Sequence, residues 1–112
     1  MRFTAVHEFG ILKRPPEKGE RFDVYEKEKY ECITCDDVYV EGVIKKISSM
    51  RAFSHSLDNP CRGLEYTGIT LIPPSSLKEL TEAFKDIPEA DELCGKMKNA
   101  ERDGKWMIHF GL

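Results

Sequence analysis

The 112 residues are 40% hydrophobic and 33% charged with a formal net charge of −3, which is enough apolar mass for a packed core and too little charge imbalance to keep the chain unfolded. Lysine and arginine alternate with aspartate and glutamate along the chain, so no basic stripe is available to neutralise a run of phosphates and no nucleic-acid partner is expected. The opening MRFTAVHEFGILKRPP carries no apolar signal-type stretch, and no run approaches the ~20 apolar residues that span a bilayer, which predicts a cytoplasmic protein without membrane contact.

Residues 2–12 alternate, with Phe3, Ala5, His7, Phe9 and Ile11 on one face, and predict a first strand. Pro15, Pro16 and Gly19 then break any ladder, so 13–20 reads as an exposed connection. Arg21–Glu26 and Tyr30–Thr34 are expected as two short strands or one bent one. From Asp36 to Met50, Val40, Val43, Ile44, Ile47 and Met50 form a helical stripe behind a possible aspartate cap. The stripe holds over more residues than the competing alternation at Val38–Glu41, which favours helix, although Gly42 weakens that choice.

Residues 51–62 have no sustained period and are expected to be irregular. Leu64–Ile72 is nearly continuous in apolar and β-branched residues, the pattern of a central strand covered on both faces. Pro73 and Pro74 end it. Leu77, Leu80, Phe84 and Ile87 then recur at helical spacing, and a further helix opening at Pro88 aligns Ala90, Leu93, Met97 and Ala100 before stopping at Asp103-Gly104. Trp106, Ile108 and Phe110 alternate with Met107 and His109, a last strand placed inside the sheet. This order predicts one α+β domain over residues 1–112: a mixed, mainly antiparallel sheet of four to five strands with two to three helices mainly on one face.

Four features bear on chemistry. Cys32 and Cys35 stand at the spacing of a redox pair or half a zinc knuckle, but in an extended segment positions three apart face opposite ways. Cys61 and Cys94 supply no second knuckle, so free thiols and no metal are expected. His7 and His109 fall on strands among apolar neighbours and are expected to hydrogen-bond locally. Asp36 and Asp37 are accounted for by a helix start. The stretch 54–62 concentrates reactive groups: His55 as a candidate base, Asp58 as its orienting partner, Cys61 as a candidate nucleophile and Arg62 as an anion ligand. The plainer reading is that Ser54, Ser56, Asp58 and Asn59 satisfy turn backbone.

No phosphate-binding glycine loop or other cofactor motif occurs, and no cofactor is expected. With no motif that carries a mechanism, the expected function is a non-catalytic protein-interaction module, of inhibitor, immunity or adaptor type, that binds a protein partner or itself. The alternative is a small hydrolase or transferase working from the 54–62 loop.

Overall fold

A computed structural model of the chain describes residues 5–112. Six strands form one sheet: β1 (Val6–Ile11), β2 (Ile33–Asp36), β3 (Arg51–Ser54), β4 (Pro60–Arg62), β5 (Ile69–Ile72) and β6 (Met107–Phe110). Three helices accompany it, α1 (Asp37–Val43), α2 (Leu77–Phe84) and α3 (Asp91–Arg102). The strand order is β2-β1-β6-β5-β3-β4. Every pairing is antiparallel, so the expected mixed sheet is corrected to an antiparallel one with more strands than predicted.

The extra strands come from segments too short to show a period. β3 and β4 form a hairpin in the stretch read as irregular, with Ala52 opposite Cys61 and Phe53 opposite Pro60. Pro60 is tolerated because β4 lies at the sheet edge, where a missing N–H breaks no ladder. Of the predicted first strand, residues 2–4 lie outside the described residues. Arg21–Glu26 is not a strand: it leads into a 3-10 turn at Lys27–Tyr30, and the chain becomes extended only at Ile33.

The stripe predicted over 36–50 is buried at Val40, Val43, Ile47 and Met50, but helix geometry stops at Val43. Beyond it the backbone bonds run three residues back, from Lys46 N–H to the Val43 carbonyl and from Met50 N–H to the Ile47 carbonyl. These tighter turns keep the apolar residues inward while bringing Arg51 into line with β3. The predicted Leu64–Ile72 strand shortens to Ile69–Ile72, which does lie centrally, between β3 and β6. The end of α3 matches its expected stop: Gly104 takes φ 65°, its N–H bonds Glu101, and the Lys105 N–H bonds Ala100.

Alternation in each strand sorts side chains to two faces. Phe9, Cys35, Ala52, Ile72 and Met107 point to the face covered by all three helices, where Val40, Leu80, Phe84, Leu93 and Met97 complete the main core. Ile69, Leu71, Ile108 and Phe110 point the other way, beside Phe53 of β3 and Trp106 just before β6, and are covered by Phe22 and Tyr30 of the 12–32 connection. The second face is therefore closed by the 12–32 connection instead of by helices. This double cover explains why every residue of β5 and β6 is buried. Among the described residues no helix is long and apolar enough to cross a membrane.

Candidate functional site

The 54–59 loop is a tight hairpin connection. Ser54 N–H donates to the Asn59 carbonyl, Asn59 N–H to the Ser56 carbonyl, and Asp58 N–H to the Ser56 hydroxyl. His55 sits in the left-handed region at φ 63°, which turns its ring back over the sheet end. Its Nδ1 lies 3.0 Å from both the Phe22 carbonyl and an Asp23 carboxylate oxygen, while Ile69 N–H points at Nε2 from 3.3 Å. Two acceptors at Nδ1 and a donor at Nε2 fix the tautomer with the proton on Nδ1.

The four residues picked out in this loop are thus distributed, not convergent. His55 pairs with Asp23 and not Asp58, which stands exposed. Burial pushes the half-buried Cys61 thiol up, with nearby Glu65 adding to the effect, so it is held as a thiol and not a thiolate. Arg62 donates to the Ser49 carbonyl on the preceding turn. Cys32 and Cys35 belong to packing clusters on opposite sheet faces. Among the described residues no group of three or more histidine, cysteine, aspartate or glutamate side chains could hold a metal ion.

A different constellation occupies the helix-covered face at the same end of the sheet. His7 on β1, His109 on β6 and Thr70 on β5 are all without solvent exposure. His109 and Thr70 are direct cross-strand partners, and His109 faces Phe9, which places it diagonal to His7. The two rings stack at 5.0 Å, with His7 Nδ1 2.8 Å from His109 Nε2. His7 Nε2 lies 2.9 Å from Asp37 Oδ1 at the start of α1, and the same oxygen accepts the Tyr66 hydroxyl. At the inner end, His109 Nδ1 is 3.3 Å from the Thr70 hydroxyl, which itself accepts Glu65 N–H at 2.8 Å.

These contacts admit one consistent arrangement of protons with both imidazoles neutral. Asp37 only accepts, so His7 carries its proton on Nε2 and offers the Nδ1 lone pair. His109 then donates from Nε2 and accepts at Nδ1 from Thr70. The row runs in one sense from Thr70 through two histidines to a carboxylate. Burial, with His7 beside it, pulls the His109 pKa down to about 3. The Tyr66 hydroxyl bond, reinforced by the bond from His7, holds the Asp37 carboxyl below its ordinary value, while the Asp37 bond and burial push Tyr66 up to about 12. Only Asp37 and Tyr66 reach solvent, so a substrate would meet a hydrogen-bonded carboxylate and phenol and neither imidazole.

Sequence alternation places His7 and His109 on apolar strand faces, but says nothing of β1 and β6 being neighbours or of their register, and so cannot bring the rings together. Compared with known protein families, curated proteins and solved structures, the chain matches none significantly.

Proposed function

We propose that the protein is a non-catalytic interaction module whose docking face is the end of the sheet around Tyr66, and that its partner is a protein with an apolar centre and a basic rim. The observation that supports this reading is where the exposed large apolar side chains lie. Val6, Val24, Tyr25, Val38, Tyr66 and Leu112 make up that group among the described residues. They sit on segments tied together at one end of the sheet. Val6 opens β1 opposite Asp36 at the end of β2, and Val38 follows Asp37, which Tyr66 bonds. Leu112 N–H donates to the Tyr66 carbonyl, and the Tyr25 hydroxyl bonds the carbonyls of Thr67 and Gly68.

A backbone this constrained loses little entropy on docking, and tyrosine supplies contact area with few rotatable bonds. Gly111 packs directly on the Tyr66 and Glu65 carbonyls, where any Cβ would collide, so the C-terminal segment and the Tyr66 turn are locked together. The charge around the face selects the partner. Asp36, Asp37, Glu41 and Glu65 border it, and among the described residues the nearby cations Arg21 and Lys27 are paired with Asp23 and Glu8. Self-association would set like charges opposite one another, which disfavours a symmetric dimer through this end.

Val24 and Val38 are the test positions, since at 65% and 63% exposed they contribute little to the fold. The double variant Val24→Ser/Val38→Ser is expected to melt with the wild type and to lose at least tenfold in affinity for a partner captured by the wild type. That binding is expected to weaken as salt rises. A partner held equally by both proteins, or a wild type that dimerises through this face in sedimentation, would refute the proposal.

A further inference from the structure

At the opposite end of the sheet two adjoining clefts share Lys13, Lys29 and Tyr30. One, of about 270 Å³, is bordered by Lys13, Lys29, Lys96 and Lys105, with Glu31 as its one carboxylate. The other, of about 390 Å³, has an apolar wall of Leu12, Phe22 and Tyr30.

The four lysines come from four separate places: the exit of β1, the 3-10 turn, α3, and the link to β6. Among the described residues Lys29 pairs with Glu26, whereas Lys13, Lys96 and Lys105 have no carboxylate within ion-pair distance. Lys96 is held in place by donating from Nζ to the Glu31 carbonyl at 2.6 Å, and Glu31 takes the left-handed conformation at φ 51° that a non-glycine residue adopts at some cost. In a chain of net charge −3, a cleft bordered by four lysines, three of them without an ion-pair partner among the described residues, against the one carboxylate of Glu31 is a local inversion of sign. Their mutual repulsion is relieved when an anion enters.

We propose that this pair of clefts binds a nucleotide-sized organic phosphate, with the phosphates among Lys13, Lys29, Lys96 and Lys105 and a flat apolar body against Phe22 and Tyr30. The sizes fit: each cleft is within or just below the range of small-ligand pockets; the smaller is bordered by four lysines and one glutamate, and the larger combines the Leu12, Phe22 and Tyr30 wall with a rim of Lys13, Arg14, Lys29, Glu20 and Glu28. The site is compact and discontinuous in sequence, which suits a small molecule and not the extended backbone of a nucleic acid. Its lysines lie away from the Tyr66 end, Phe22 alone reaching toward it through its backbone bonds to His55, and the site does not depend on the docking proposal.

The test is a titration of the whole protein, at low salt with EDTA present, using ATP in one arm and inorganic tripolyphosphate in the other, followed by amide chemical shifts. Saturable one-to-one ATP binding is expected, with shifts at residues 13, 29–31, 96 and 105 and at Phe22. Lys13→Ala/Lys105→Ala is expected to weaken it at least tenfold, while Lys45→Ala/Lys46→Ala, which removes the same charge elsewhere, leaves it unchanged. Absence of saturation, or equal losses in the two double variants, would overturn the site. Equal affinity for ATP and tripolyphosphate would overturn the apolar half of it.

Discussion

Replacing His109 by leucine should flatten the acid side of the stability profile. In the folded protein burial holds the His109 pKa at about 3, against 6.5 in the unfolded chain. The folded value is the depressed one, so below pH ~6.5 the unfolded state takes up a proton that the folded state refuses, and stability falls as pH falls, by about 1.4 kcal/mol per unit towards pH ~3. Integrated from pH ~7 to pH ~5, the loss is about 2 kcal/mol. The carboxyl groups held low, Asp23, Asp37, Glu82 and Asp103, act in the same direction but at lower pH. Their stabilisation is complete above the unfolded carboxyl values and is lost only as pH falls through the lowered folded values, so most of their effect lies below this window.

The assay is urea unfolding at both pH values and constant ionic strength. The wild type is expected to lose about 2 kcal/mol between them, and His109→Leu only a small part of that. The variant is also expected to be about 1–3 kcal/mol less stable at neutral pH, because it leaves the Thr70 hydroxyl and His7 Nδ1 without their partner. The absolute cost therefore tests packing, and the difference between the two pH values tests the histidine. Imidazole nitrogen shifts give an independent reading: His109 should stay neutral, protonated on Nε2, down to pH ~4. Equal pH dependence in wild type and variant, or a His109 that titrates near its unfolded value, would sink the account of a neutral, buried His109.

Burial, with neighbouring carboxylates adding to it, pushes both Cys32 and Cys35 up to about 11, so at pH ~7.5 each should react with iodoacetamide roughly 100-fold more slowly than a free cysteine; mass spectrometry showing either labelled at the free rate would contradict their placement on packed faces. His55→Ala removes the bonds to Phe22, Asp23 and Ile69 and leaves a non-glycine residue at positive φ, with an expected cost of about 1–3 kcal/mol. Amide exchange should accelerate in residues 20–26 and stay unchanged in β6, and uniform acceleration across the sheet would show that His55 is not a local tie.

The parts of the fold legible in the sequence are those whose period extends over several turns or alternations. α2 and α3 announce themselves through Leu77, Leu80 and Phe84 and through Leu93, Met97 and Ala100, bounded by prolines before and Gly104 after. β1, β5 and β6 are visible because alternation or continuous apolar character persists long enough to be read, and the burial of β5 on both faces follows from it. β3 and β4 are not, because hairpin strands of three or four residues carry too few side chains to establish a period and are stabilised by their neighbours.

The sites divide in the same way. The chain by itself nominates reactive residues that are close in sequence, which is how His55, Asp58, Cys61 and Arg62 stand out, yet a hairpin loop sends consecutive side chains in different directions. The groups that do meet are remote in sequence. His7 and His109 are 102 positions apart, Asp37 and Tyr66 29 apart, and Lys13 and Lys105 border one cleft. Composition and periodicity determined that this chain makes an α+β core with helices packed on a sheet. Which strands become neighbours, and in what register, is decided by non-local pairing across the sheet, and only that pairing turns isolated polar residues into a histidine row, an exposed end bordered by carboxylates and a lysine-bordered cleft.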